Sequence, residues 1–136
     1  TIYDEIGRLD NITVAFVAKQ GHPAAVAGKA FWELEQKIPL KGNKFYGVYN
    51  EGKNEYRACA ALNETNKHLT EGLSRGIILG GDYAYTTMAG SYNDIVRQIA
   101  PAFGALAEKY ECDPARLPVE FYKRHTEVLV MLPIKQ

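Results

Sequence analysis

The 136-residue chain lacks the features that would tie it to nucleic acid or to a membrane. Its 16 acidic residues balance its 16 basic residues, so it has no excess of positive charge for a phosphate backbone. No apolar run approaches the roughly 20 residues that span a bilayer. The N-terminus also lacks the basic start and long apolar block of a signal peptide. We therefore expect a cytoplasmic protein that contacts neither nucleic acid nor membrane directly.

Cysteine is scarce, and motifs for metals or cofactors are missing. Cys59 and Cys112 lie far apart, with no histidine cluster near either, so a zinc site is not indicated. The pair Gly80-Gly81 is too short to cradle a phosphate and lacks the lysine and hydroxyl of a P-loop. None of the three histidines accompanies a nucleophile in a recognisable motif. We expect no metal, no cofactor and no hydrolytic triad.

Aromatic residues, in contrast, are plentiful. There are nine tyrosines and one tryptophan, and several tyrosines fall in strand-like runs. Such strands often pack as ordinary sheet, but tyrosine can also wall a pocket for a flat organic ligand, because its ring is apolar and its hydroxyl can hydrogen-bond. With 46% hydrophobic and 24% charged residues, the whole chain, 1–136, is expected to fold as one domain.

The first half of the chain predicts one helix and three strands. Residues 12–20 are β-branched and aromatic, which is typical of a strand. Apolar residues at helical spacing predict a helix over 23–38, with Pro23 in its first turn. Two further strands, 45–50 and 55–63, flank a turn-like segment and should form a hairpin.

The second half repeats this pattern. Residues 83–88 predict a strand, and Ser91 with Asp94 resembles a capping box at the start of a helix. Pro101 falls inside that helix and should kink it or split off a first segment. Strands at 119–123 and 127–134 should form the second hairpin.

Two stretches show no sustained period. Residues 1–11 are interpreted as a lead-in segment, and residues 64–79 mainly as the connection between the halves.

The two halves form an internal repeat, with modules at about 12–63 and 82–134. A shift of 72 residues places the apolar stripe of the first helix over that of the second: Phe31, Leu34 and Ile38 over Phe103, Leu106 and Tyr110. Each helix must bury its stripe against a sheet. The predicted fold is therefore α+β, with two pseudo-symmetric strand-helix-strand-strand modules, an antiparallel sheet, two helices on one face and a central groove.

The order of several short motifs resembles the GyrI-like small-molecule-binding domain, also known as the effector-binding domain of AraC-type and MerR-type transcription regulators. The resemblance covers nearly the whole chain and rests on these segments: Trp32, Phe45–Asn50, Tyr56–Ala60, Gly81–Tyr85, Ala89–Tyr92, Thr126–Val128 and Leu132–Lys135. The short final hairpin departs from relatives that have a longer excursion there.

The resemblance implies a groove that takes hydrophobic, often aromatic and cationic, organic molecules. With no DNA-binding domain in the sequence, the chain is expected to be a free-standing member. Two alternatives follow from such members. One is a hydrolase that opens cyclopropane rings of natural products, and the other is a protein binder such as a DNA gyrase inhibitor or a partner of a regulator.

Glu127 is the main candidate for a charged ligand contact. It opens the apolar strand 128–132, where a carboxylate is costly to bury. By the resemblance it matches an acidic residue at the base of the groove, where it would bind a cation or activate water. The structural alternative is a salt bridge to Arg124 or Arg57. His125 is interpreted as a turn residue, although it would share a strand face with Glu127 if the strand began earlier.

The remaining candidate contacts are aromatic residues and one glycine: Trp32, Tyr46, Gly47, Tyr49, Tyr56 and Tyr85. Trp32 lies beside the apolar helix stripe and matches the family's helical tryptophan, although plain core packing is equally common for such a residue. Gly47 would let a ligand approach the backbone, or it would simply mark a bulge. At least one strand tyrosine is expected to pack in the core, and Tyr83 is a further possibility beside Tyr85.

Overall fold

The computed structural model describes residues 4–124 and 126–135. The chain divides into a central unit, residues 11–79, and a terminal unit formed by the residues up to 10 together with those from 80 onward. Neither helix is long and apolar enough to cross a membrane. In chain order the elements are β1 (Asp4–Leu9), β2 (Ile12–Gln20), α1 (Pro23–Glu35), β3 (Phe45–Asn50), β4 (Glu55–Ala61), β5 (Ser74–Ile78), β6 (Gly81–Ala89), α2 (Tyr92–Lys109), β7 (Val119–Arg124) and β8 (Glu127–Pro133).

The central unit is an antiparallel sheet in the order β3-β4-β2-β5, with α1 packed on β4 and β2. Helix α1 begins at Pro23, where His22 Nδ1 accepts a hydrogen bond from the backbone N–H of Ala24 at 3.0 Å. The helix ends at Glu35 rather than at residue 38 as predicted. Ile38 is nevertheless fully buried, because the turn after the helix continues its apolar face.

The terminal unit is built in the same way, in the order β7-β8-β6-β1, with α2 packed on β8 and β6. Ser91 caps α2 by accepting from the N–H of Asp94. The helix continues through Pro101, so the predicted split is wrong. Pro101 is exposed, so water can bind the carbonyl that this proline leaves without a helical donor, while buried Ile95 and Leu106 anchor the helix on either side.

Both units contain the predicted order strand, helix, strand, strand, and the α+β class with antiparallel strands is confirmed. Two strands were missed. β1 lies in the stretch interpreted as a lead-in, and β5 lies in the presumed connection. Each adds to the outer side of the first strand of a unit, β1 on β6 and β5 on β2. Both are short edge strands, which form by pairing rather than by a local apolar pattern.

Candidate functional site

Strand alternation assigns the side chains of the terminal unit to two sheet faces. The face beneath α2 carries a buried apolar cluster. Its members are Ala84 and Met88 of β6, Val128, Val130 and Leu132 of β8, Ile134 directly after β8, and Ile95 and Leu106 of α2. Side chains at alternating positions of β6 and β8 point to the opposite face. Glu127, one residue before Val128, belongs to that opposite face.

Glu127 is half-buried rather than enclosed. It pairs in register with Ala89 on β6 and with Arg124 on β7. Its carboxylate lies 3.7 Å from Lys123 Nζ, in an ion pair whose side chains are 27% and 50% exposed, respectively. The salt bridge weighed as its structural role therefore exists, but to Lys123 instead of to Arg124 or Arg57. An exposed pair of this kind stabilises a fold weakly. His125, the neighbouring candidate, lies outside the described residues.

A second acid, Glu120, is more deeply buried and was missed by the sequence analysis. It lies opposite Val130 in the β7–β8 register, which places it on the face that α2 covers. Only 6% of the residue is exposed. Tyr122, two residues later on the same face, donates its hydroxyl to Glu120 Oε1 at 2.5 Å. The sequence does place Glu120 and Tyr122 on one face, but only the pairing identifies that face as buried.

Aromatic and apolar side chains pack on the same face of the terminal unit as this acid. Ile99, Phe103 and Tyr110 of the α2 segment, together with Tyr122, are partly buried and pack against the apolar cluster. Glu120 thus shares a largely apolar sheet face with this cluster, on which Thr86, also opposite Val130, is another buried polar residue. A charge in such surroundings is costly unless it is paired, and buried acids of this kind gather at functional sites.

The two tyrosines of β6 lie on the opposite face, on the same side as Glu127. The hydroxyl of Tyr85 donates to Glu5 Oε2 at 2.6 Å, and this hydrogen bond is the main cause of the raised pKa of Tyr85. Tyr83 is buried beneath the guanidinium of Arg116, whose central carbon lies 4.9 Å from the ring centroid. Burial raises the pKa of Tyr83. Both rings are therefore engaged in contacts inside the unit.

In the central unit, the candidates on β3 and β4 divide between the faces. Gly47, Tyr49 and Tyr56 are on the face beneath α1, with Tyr49 directly opposite Tyr56 in register. Tyr56 is fully buried and meets the ring of Phe31 edge-on at 6.1 Å, so it is a core residue. Tyr46 is on the other face, where burial raises its pKa.

Tyr49 and Trp32 are the aromatic candidates of the central unit with accessible surface. The hydroxyl of Tyr49 donates to Asn54 Oδ1 at 2.7 Å, and its ring meets His22 edge-on at 5.8 Å. Trp32 lies on α1 and is 60% exposed, so its indole is not part of the core. A large exposed indole is uncommon on a soluble protein unless it contributes to a contact.

Within residues 4–124 and 126–135, no three His, Cys, Asp or Glu side chains come close enough to hold an ion together. Cys59 is buried, and this burial raises the pKa of its thiol to about 12. A thiol held protonated at neutral pH is a poor nucleophile and a poor metal ligand.

No protein-family model and no curated protein matches the sequence. Solved structures, however, share the fold over almost the whole chain. An integron cassette protein from the mobile metagenome of Vibrio cholerae has a TM-score of 0.69 at 15% identity, covering 98% of this chain and 99% of its own.

Two further structures are informative. SAV2435, solved with bound tetraphenylphosphonium, has a TM-score of 0.67 at 12% identity, covering 98% of this chain and 94% of its own. The C-terminal domain of EcmrR has a TM-score of 0.64 at 13% identity, with 99% and 98% covered. At these identities the comparisons define the class of fold, an α+β fold shared with these proteins.

Proposed function

We propose that this chain binds a hydrophobic organic molecule that is aromatic, cationic or both. The observation that carries the proposal is the buried acid Glu120, which accepts a hydrogen bond from Tyr122 on a largely apolar sheet face against which Phe103 also packs. A lipophilic cation needs apolar walls, aromatic faces and one negative charge in a place of low dielectric. The tetraphenylphosphonium bound by SAV2435 is a molecule of this class, and that protein has the same fold.

The exposed indole of Trp32 gives the proposal independent support from the central unit. Trp32 on α1 and Tyr49 on β3 offer accessible aromatic surface there. Gly47, two residues before Tyr49 on β3, has no side chain. Aromatic faces attract cations, and tryptophan attracts them most strongly. The earlier candidates Tyr46, Tyr56 and Tyr85 would act beneath or beside the contact surface, because their rings are packed or hydrogen-bonded.

The sequence resemblance favours membership of the GyrI-like family. The role of the bound molecule would then be in sensing, sequestration or drug resistance. A ligand position between the two modules stays a prediction, as does the DNA gyrase-type partner. No contact or charge in the described residues argues for a protein partner over a small molecule.

Calorimetry with tetraphenylphosphonium tests the proposal and separates the two acids. Glu120→Gln keeps the shape and the acceptor for Tyr122 but removes the charge, and we expect it to weaken binding at least about tenfold. Glu127→Gln is the matched variant on the opposite face. If Glu127 is the counter-charge, as the sequence analysis predicts, the loss will appear in that variant instead.

A neutral triaryl compound, triphenylphosphine oxide, serves as the control ligand. The Glu→Gln change should leave its affinity nearly unaltered, since only the charge is removed. Equal affinity of both variants and of the unmodified chain for the cation would overturn the charge argument. Absence of any saturable binding to either compound would overturn the proposed ligand class.

A hydrolase is the second candidate, and the distance of 2.5 Å between Tyr122 Oη and Glu120 Oε1 is the observation in its favour. A positioned carboxylate can activate water, and a phenol can polarise an electrophilic carbon–oxygen bond or ring. From the sequence, Glu127 is the residue predicted to act as the base. Turnover of a cyclopropyl-indole compound that is lost in Glu120→Gln or in Glu127→Gln would favour this function, and absence of turnover would count against it.

A further inference from the structure

A polar depression of about 470 Å³ lies within the terminal unit, where β6 begins and β8 ends. It differs chemically from the apolar surroundings of Glu120, because its lining consists mainly of charged side chains and glycines. The residues that matter for its chemistry are Arg8, Gly80, Gly81, Asp82, Arg116 and Lys135. Nothing in the proposed binding of a lipophilic cation uses them.

Arg116 supplies a fixed positive charge in this depression. Its side chain is only 10% exposed, and Nε donates to Asp113 Oδ2 at 2.9 Å. The two Nη atoms donate to the carbonyls of Asp82 at 3.1 Å and Ile134 at 2.9 Å. Backbone and side-chain donors, from Ala115 and Arg116, lower the pKa of Asp113, so this anchor stays ionised at neutral pH. The planar guanidinium is thereby held in one orientation before any ligand arrives.

The backbone at Gly81 is shaped around that guanidinium. Gly81 has a φ of +133°, which residues with a Cβ rarely adopt. A Cβ at this position would lie 2.6 Å from Arg116 Nη1. Glycine therefore allows the chain to pass directly against Arg116, and the neighbouring Gly80 also leaves this wall of the depression without a side chain.

Two further cations at the rim are held loosely. Arg8 approaches Asp82 at 3.4 Å with 77% of its side chain exposed, and Lys135 approaches Glu111 at 3.5 Å with 51% exposed. The Lys135–Glu111 pair is exposed on both sides and gains little free energy, so Lys135 can turn toward a ligand at small cost. Asp82 is only 19% exposed, so Arg8 would stay beside it and use its remaining N–H donors, whereas Asp113 remains committed to Arg116.

We propose that this depression is a second ligand site, one that binds a small oxyanion: a carboxylate or phosphate group, free or carried on a small metabolite. Three bases and two acids line it, which leaves an excess of one positive charge. Guanidinium and ammonium groups are the donors that such oxygens require, and the glycines of the wall leave room for the ligand beside them. Arg8 and Lys135 at the rim contact the anion directly, while Arg116 supplies a fixed positive charge in the wall of the depression.

Inorganic phosphate, added at constant ionic strength, is the probe. We expect saturable shifts in the NMR amide signals of Gly80 and Gly81. The double variant Arg8→Gln/Lys135→Gln should weaken the affinity by about tenfold, since it removes two charge-assisted donors. Acetate in a parallel titration separates recognition of any oxyanion from recognition of phosphate.

Lys67→Gln/Arg97→Gln is the matched control, because it removes the same two positive charges from exposed ion pairs elsewhere on the chain. It should bind phosphate like the unmodified chain. Shifts that grow linearly without saturation would overturn the site, and so would equal affinity in the two double variants. Neither result would bear on the binding of tetraphenylphosphonium.

Discussion

The hydroxyl of Tyr122 donates to a carboxylate oxygen of Glu120 at 2.5 Å, between two residues that share the α2-covered face of strand β7. The acid is almost fully buried and the phenol only partly so. Tyr122 thus joins a buried acid to the apolar cluster beneath α2, against which its own ring packs. This pair is the most direct candidate for recognising a ligand that carries positive charge.

Replacing Tyr122 with Phe should lower the free energy of unfolding by about 1–3 kcal/mol, because a buried carboxylate loses a donor while the ring is kept. Urea denaturation of Tyr122→Phe, Glu120→Ala and the double variant measures the coupling between the two side chains, because each single change removes the hydrogen bond. Strictly additive effects would show that the hydrogen bond contributes nothing to stability.

Trp32 and Leu34 are two residues apart on α1 and should respond oppositely to truncation. Leu34 is fully buried, so Leu34→Ala should cost about 2–5 kcal/mol of stability. Trp32 is 60% exposed, so Trp32→Ala should change stability by no more than about 0.5 kcal/mol while weakening the binding of tetraphenylphosphonium. Denaturation and calorimetry on the same samples check both effects. A large loss of stability in Trp32→Ala would assign the indole to packing.

Gly81 and Gly104 offer a matched pair for the backbone. Gly81→Ala places a Cβ against Arg116 at a φ of +133° and should destabilise the chain by about 1–3 kcal/mol. Gly104 lies within α2, where a Cβ meets nothing within 4 Å. Gly104→Ala should therefore stabilise the chain by about 0.5–1 kcal/mol. Thermal unfolding reads both, and a stabilising Gly81→Ala would contradict the close approach of Arg116.

The two cysteines should differ sharply toward a thiol reagent at pH 8. Burial raises the pKa of Cys59 to about 12, because it outweighs the nearby charge of Arg57, which lowers the pKa. This thiol is therefore protonated at pH 8. Cys112 is exposed. We expect one rapid modification in the native chain and a second only in denaturant. Cys112→Ser should remove the rapid phase, and rapid labelling that persists in this variant would show that Cys59 is accessible.

The local elements could be predicted because each has a pattern of its own. The β-branched run of 12–20, Pro23 in the first turn of α1 and the cap at Ser91 act over a few residues, and the observed bounds agree with the predicted ones to within three positions. Strands β1 and β5 have no such pattern. Each is stabilised as an edge strand by a partner distant in the sequence, β6 and β2, respectively.

The choice between two acids shows where the sequence stops being informative. Strand alternation determined by itself that Glu120 and Tyr122 share one face and that Glu127 is separated from Val128. It did not determine which face α2 would cover. That depends on the register of β7, β8 and β6 and on the packing of a helix from another part of the chain. Burial is a property of that assembly, so only the tertiary structure identified Glu120 as the enclosed acid and Glu127 as a half-buried acid paired with Lys123.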